Sequence, residues 1–113
     1  MSNKKLAAET PISFKGFREQ VLEDYRLLSL SRECSILGRR EVMTGKAKFG
    51  IFGDGKELPQ LILSKFFKDG DFRSGYYRDQ TILMEQGHLT PQYIFSALYA
   101  HPDLEIEPMS GGR

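Results

Sequence analysis

A short aromatic segment that ends in an arginine is the part of the sequence best suited to chemistry. Tyr76, Tyr77 and Arg78 stand directly before Asp79. The guanidinium of an arginine can form paired, charge-assisted hydrogen bonds with phosphate oxygens, and a tyrosine hydroxyl can add another. A helix that begins just beyond them would add the positive end of its dipole. These residues are therefore a candidate phosphate site.

The same residues also allow a purely structural interpretation. Arg78 could form a salt bridge with Asp79, Asp71 or Glu57, and the tyrosines could fill the core. Ion pairs of this kind are common in proteins that bind no phosphate there. The residues alone leave both interpretations open.

Other polar patterns in the chain favour turns over metal sites. Gly53-Asp54-Gly55 matches the first residues of a motif that binds a metal ion and a diphosphate. That motif also needs a downstream Asn, and the only Asn in the sequence is Asn3. Asp69-Gly70-Asp71 lacks the further oxygen ligands that a calcium loop requires. Both segments are typical of turns.

The histidines and the single cysteine give no catalytic pattern. His88 and His101 have no third metal ligand in register, so we expect both at the surface. Cys34 falls on an apolar row of a predicted helix, which indicates a buried, inert thiol. No phosphate loop, dinucleotide fingerprint or nucleophile elbow occurs.

The elements that must position these residues are mostly helical. Two apolar rows with helical spacing predict a helix over 14–44, or two helices broken near Gly38, with Ser13 as the N-cap and Gly45 as the stop. A glycine-rich connector spans 46–55. A buried helix is predicted over about 56–68, an extended segment over 72–78, and short helices over 79–86 and from Pro91 to before Pro102. We expect about four helices and at most one short strand.

Composition narrows the class of protein. The chain has 113 residues, 40% of them hydrophobic and 27% charged, with a formal net charge of +1. This suits one globular domain and neither a disordered tail nor a basic nucleic-acid binder. One cysteine, with no apolar run of bilayer length, leads us to expect a cytoplasmic protein. We expect a flexible arm over 1–12, a helical segment over 13–101, and a loop or tail over 102–113.

Several short motifs follow one another in a recognisable order: Thr44-Gly45-Lys46, Gly55-Lys56-Glu57, Asp71, Tyr77-Arg78 and Gly87. Over roughly residues 25–113 this order resembles the α subunit of the thiamine-diphosphate-dependent 2-oxo-acid dehydrogenases. These enzymes are the decarboxylating components of the pyruvate and branched-chain complexes. The resemblance implies that this mainly α segment is part of a larger α/β thiamine-diphosphate-binding fold.

Site residues follow from the resemblance position by position. Tyr77 and Arg78 match the pair that binds the cofactor diphosphate, and Tyr76 matches a neighbour that lines the same site in some members. Gly55 and Glu57 match a structural turn near the active-site entrance, although Lys56 departs from the family's Gln or Glu. Where some members carry a histidine that faces the cofactor, this chain has Phe49, Ile51 and Phe52, which favours the branched-chain type over the pyruvate type.

The resemblance also implies a mechanism and partners. The intact enzyme would decarboxylate a 2-oxo acid with thiamine diphosphate and Mg, and pass the acyl group to a lipoyl arm on an acyltransferase. Relatives continue past a Gly-Arg like Gly112-Arg113, so we expect an N-terminal piece of a longer α or fused α/β chain. The metal ligands would lie outside this chain, and the isolated chain would be inactive and self-associating. The alternative is a non-enzymatic helical interaction module.

Overall fold

The residues that the structure describes form four α-helices. The computed structural model describes residues 13–76 and 78–108, and the helices are α1 (Phe14–Met43), α2 (Glu57–Ser64), α3 (Gln80–Glu85) and α4 (Pro91–Leu98). These residues contain no strand, which confirms the mainly helical prediction. The predicted arm over 1–12 and the end of the tail, 109–113, lie outside the described residues.

The ends of α1 follow from its capping residues. The Ser13 hydroxyl accepts a hydrogen bond from the Gly16 N–H at 3.0 Å, as a side-chain N-cap does. At the other end Gly45 adopts a φ of +80°, a left-handed conformation that glycine adopts without strain. Both predicted boundaries are confirmed, and α1 runs through Gly38 as one helix.

Of the two apolar rows of α1, only Cys34 is buried as predicted. Large side chains of both rows are exposed: Phe14, Phe17, Val21, Tyr25, Leu30 and Leu37. The buried residues are small: Ser31, Cys34, Ser35 and Gly38. They recur at i, i+3, i+4 and i+7, so they share one helical face. The helix contacts α2, α3 and α4, and Ser31 of this face bonds to Thr81 of α3.

The second helix is shorter and less buried than predicted. It ends at Ser64, because the N–H groups of Phe66 and Phe67 turn back to the carbonyls of Leu63 and Ser64, three residues earlier. Only Leu61, 2% exposed, is a buried apolar residue of α2. Four further side chains of the apolar run are between 49% and 65% exposed: Leu58, Ile62, Leu63 and Phe66. The prediction of a buried helix is therefore wrong.

The last two helices begin and end close to the predicted residues. Gly87 follows α3 with a φ of +79°. The Thr90 hydroxyl accepts a hydrogen bond from the Tyr93 N–H at 3.2 Å, and Pro91 takes the first helical position. The start of the tail packs on α4, where the Ser96 hydroxyl donates to the Ile106 carbonyl at 3.1 Å. Among the residues described, no helix has the length and apolar character needed to span a membrane.

Candidate functional site

Two arginines of α1 hold the turn that ends the connector. Arg32 binds Glu57 with two parallel contacts, 2.5 Å from Nε to Oε1 and 3.1 Å from Nη2 to Oε2. Arg39, seven residues further along the same helix, binds the carboxylate of Asp54. The Gly55 N–H donates to Glu57 Oε2 at 2.7 Å. The segment from Gly53 to Glu57 is therefore fixed to α1 at both ends, and its prediction as a turn is confirmed.

Both carboxylates of this turn are stabilised as anions. Burial alone would raise the pKa of Glu57, but the hydrogen bonds from Arg32 and from backbone N–H groups outweigh it and lower the pKa below its usual value. The hydrogen bond from Arg39 is the main cause that lowers the pKa of Asp54. Neither group is suited to hold a proton near neutral pH, so their role is to anchor the turn.

The anchored turn places Gly53 against the backbone of Arg78. A Cβ atom added at Gly53 would lie 2.9 Å from the Arg78 carbonyl oxygen and 3.2 Å from the Arg78 Cβ. No other residue has room there. The Gln60 side chain, from α2, donates from Nε2 to the same carbonyl oxygen at 2.8 Å. The backbone of Arg78 is thus confined by the connector and by α2.

The carboxylate of Asp79 holds the segment that precedes Arg78. Asp79 Oδ2 accepts from the Tyr76 N–H at 2.8 Å and from Arg73 Nη1 at 2.6 Å. The Asp79 N–H in turn donates to the Tyr76 carbonyl at 3.1 Å. Tyr76 and Asp79 are therefore bound to each other, and Arg73 forms an ion pair with Asp79.

Glu57 and Asp71 also take part in structural contacts. Glu57 is bound by Arg32, as described above, and Asp71 Oδ2 accepts from the Lys68 N–H at 2.8 Å within its turn. The Asp69-Gly70-Asp71 segment is a turn, as predicted, with Gly70 at a φ of +90°.

An apolar pocket of about 290 Å³ lies beside this loop. The connector contributes Phe49, Ile51 and Phe52, and α4 contributes Ile94 and Leu98 among others. Tyr76 and Asp79, which flank the Tyr77-Arg78 pair in sequence, also line it. The three connector residues that favoured the branched-chain type therefore share one pocket with Tyr76.

The predicted site residues are only partly described. Tyr76 is 59% exposed, and Arg78 is also exposed. Tyr77 lies outside the described residues, so its predicted role as a diphosphate ligand stays a prediction.

A helix begins just beyond Arg78 as predicted, but two of its first N–H groups are already bound. The helix that follows Arg78 has six residues, and the N–H groups of Thr81 and Ile82 donate to Gln60 Oε1 at 3.1 and 3.4 Å. These donors already have a protein partner, which makes them unsuited to bind a phosphate.

Sequence reasoning missed the polar network behind the site. The Ser31 and Thr81 hydroxyls share a buried hydrogen bond of 2.7 Å, and Gln80 Nε2 donates to the Ser31 carbonyl at 2.8 Å. One signal was present in the sequence: Gln60 is the single polar residue between Leu58 and Leu63. A polar residue inside an apolar run indicates a side chain that has a specific partner.

The remaining candidate residues behave as ordinary structural groups. Cys34 is buried, and burial followed by the nearby charge of Glu33 raises the pKa of its thiol. His88 is exposed, and His101 Nδ1 accepts from the Asp103 N–H at 3.2 Å. Within 13–76 and 78–108, no three His, Cys, Asp or Glu side chains are grouped so that they could hold a metal ion.

Comparison with known proteins gives no relative. No protein-family model matches the chain. No curated protein and no solved structure matches it significantly either. The family resemblance therefore rests on the motifs quoted above and stays a prediction.

Proposed function

We propose that the chain is the N-terminal portion of the decarboxylating component of a 2-oxo-acid dehydrogenase, of the branched-chain type. In this proposal Arg78, Tyr77 and Tyr76 bind the diphosphate of thiamine diphosphate. The observation that supports it most is the exposed Arg78, whose backbone is confined by Gly53 and Gln60 beside an apolar pocket. A rigid backbone that carries a guanidinium is what the recognition of a phosphate group requires.

The residues present fit the cofactor in their chemistry. Arg78 brings the donor type that binds phosphate oxygens in pairs, and the pocket beside it is lined mainly by aliphatic and aromatic groups. When bound, thiamine diphosphate supplies the carbon nucleophile that the decarboxylation of a 2-oxo acid needs. The chain itself orients the diphosphate and contributes part of a water-poor wall.

The rest of the proposed machinery lies beyond this chain. Metal ligands for Mg and the bases that act on the substrate would come from the remainder of the α/β dehydrogenase, and the acyl group would pass to the lipoyl acyltransferase component. The complete enzyme would be a homo-oligomer of these units. The isolated 113-residue chain would not decarboxylate a 2-oxo acid.

Arg78→Ala in the complete enzyme tests the proposal. Loss of a charged hydrogen-bond partner costs about 1.5–3 kcal/mol, so the dissociation constant of thiamine diphosphate should rise roughly ten- to hundredfold. Calorimetric titration with the cofactor in the presence of magnesium measures this change. Arg78→Lys, which keeps the charge without the planar fork, should give an intermediate affinity.

The matched control is Arg26→Ala. Arg26 is an exposed arginine of α1, far from the loop in sequence, whose side chain contacts Glu23 on its own helix. Its removal should leave cofactor affinity unchanged. Arg78→Ala affinity within twofold of wild type would contradict the proposal and favour the interaction module, with Arg78 in a structural ion pair.

A further inference from the structure

The carboxamide of Gln60 holds two backbone segments at once. Its Nε2 donates to the Arg78 carbonyl oxygen at 2.8 Å, and its Oε1 accepts from the Thr81 N–H at 3.1 Å. A carboxylate could accept from Thr81 but could not donate to Arg78, and an aliphatic side chain could do neither. The position therefore requires an amide if both contacts are to form.

The residues around Gln60 are themselves bound to α1. Glu57, at the start of the same helix, is anchored to α1 by the two contacts from Arg32. Thr81, on the other side of the amide, shares its buried hydroxyl bond with Ser31 of α1. The amide thus connects the Arg78 backbone to a frame that is attached to α1 at two points.

We propose that Gln60 is a positioning residue that sets the location of the Arg78 guanidinium for phosphate binding, an inference that rests on the proposed function. Gln60 reaches only the main chain of Arg78, so it acts through Arg78 and not on the cofactor. Displacement of a binding group by about 1 Å is enough to weaken a charged site strongly. Gln60 keeps the backbone of Arg78 against Gly53, where there is no room for displacement in that direction.

Two substitutions of Gln60 in the complete enzyme separate its two contacts. Gln60→Glu keeps an acceptor for the Thr81 N–H and removes the donor to Arg78, whereas Gln60→Met removes both. Each should weaken thiamine diphosphate binding about five- to tenfold, the fold-change that one hydrogen bond produces. Gln20→Glu, the same change at an exposed position of α1, is the matched control and should have no effect.

Hydrogen–deuterium exchange without cofactor tests the contacts independently of function. In peptides that cover 79–85, Gln60→Met should accelerate exchange of the Thr81 amide, and Gln60→Glu should not. Equal exchange in wild type and Gln60→Met would overturn the inference, since the amide would then not hold Thr81.

A double-mutant cycle with Arg78→Ala completes the test. If Gln60 acts through Arg78, Gln60→Glu has no further effect on cofactor affinity once Arg78 is alanine. A Gln60→Glu effect that persists in full in that background overturns the positioning role. Normal cofactor binding by Arg78→Ala alone is a different result, because it overturns the proposed function itself.

Discussion

The two halves of α1 differ in burial, because all of its buried residues lie in the second half. The first half carries large apolar side chains, and they are exposed: Phe14, Phe17, Val21 and Tyr25 among them. The second half carries a buried stripe of small residues: Ser31, Cys34, Ser35 and Gly38. Small side chains let neighbouring backbone and rings come close, and close approach is what a packed interior requires. In this helix, residue size marks the packed face better than hydrophobicity does.

Polar groups are acceptable on the packed face because they have partners. Ser31 bonds to Thr81, and Gln80 bonds to Ser31. Within the described parts of the chain, no buried side-chain oxygen or nitrogen lacks a hydrogen-bond partner. A buried hydroxyl that is paired costs little, whereas one that has lost its partner is strongly unfavourable.

The largest expected effect on stability distinguishes a buried leucine of α2 from an exposed one. Leu61→Ala should lower the free energy of unfolding by about 2–5 kcal/mol, because it leaves a cavity at a buried site. Leu63→Ala, the same substitution at a half-exposed site, should cost about 1 kcal/mol or less. Urea unfolding of both variants measures the difference. Equal costs would mean that Leu63 is covered in solution and that the contrast is wrong.

Loss of the buried Ser31–Thr81 hydroxyl pair should have a smaller effect on stability. Ser31→Ala leaves the Thr81 hydroxyl without this partner, which should destabilise the fold by about 1–3 kcal/mol. The double variant Ser31→Ala with Thr81→Val removes both hydroxyls and should recover part of that loss. Ser29→Ala, on a less buried position of the same helix, is the control. If the double variant is less stable than Ser31→Ala, the lost hydroxyl pairing is not the cause of the destabilisation.

The smallest effect is the pH dependence of the turn anchored on α1. The pKa values of Glu57 and Asp54 lie below their ordinary values of 4.5 and 3.8. Their stabilising contribution is therefore complete above about pH 4.5 and is lost as the pH falls through the lowered folded-state values. Between pH 7 and pH 3, the unfolding temperature of Asp54→Asn should fall with a shallower slope than that of wild type. An unchanged slope would show that Asp54 titrates as it does in the unfolded chain.

The sequence was most informative where structure depends on near neighbours. Ser13, Thr90, Gly45 and Gly87 are recognisable because a cap or a left-handed turn is formed by the residue itself and the next few. Which face of α1 is buried depends on α2 and α3, whose positions no local pattern specifies.

The same limit applies to the candidate site. Arg78 could be singled out from its residue type and its neighbours, but the contacts that hold it come from distant positions. Gln60 lies 18 residues before Arg78, and the Ser31–Thr81 pair spans 50 residues. Hydrogen bonds over such distances leave only weak traces in a single sequence, such as one glutamine in an apolar run.

The ring of Phe52, from the connector, packs against Gly38 of α1. A Cβ at Gly38 would stand 2.4 Å from this ring, so the contact needs a glycine within the last turns of α1. Glycine there costs about 1 kcal/mol of helix propensity relative to alanine. The docking of Phe52 offsets this cost, so the last turns of α1 and the connector stabilise each other.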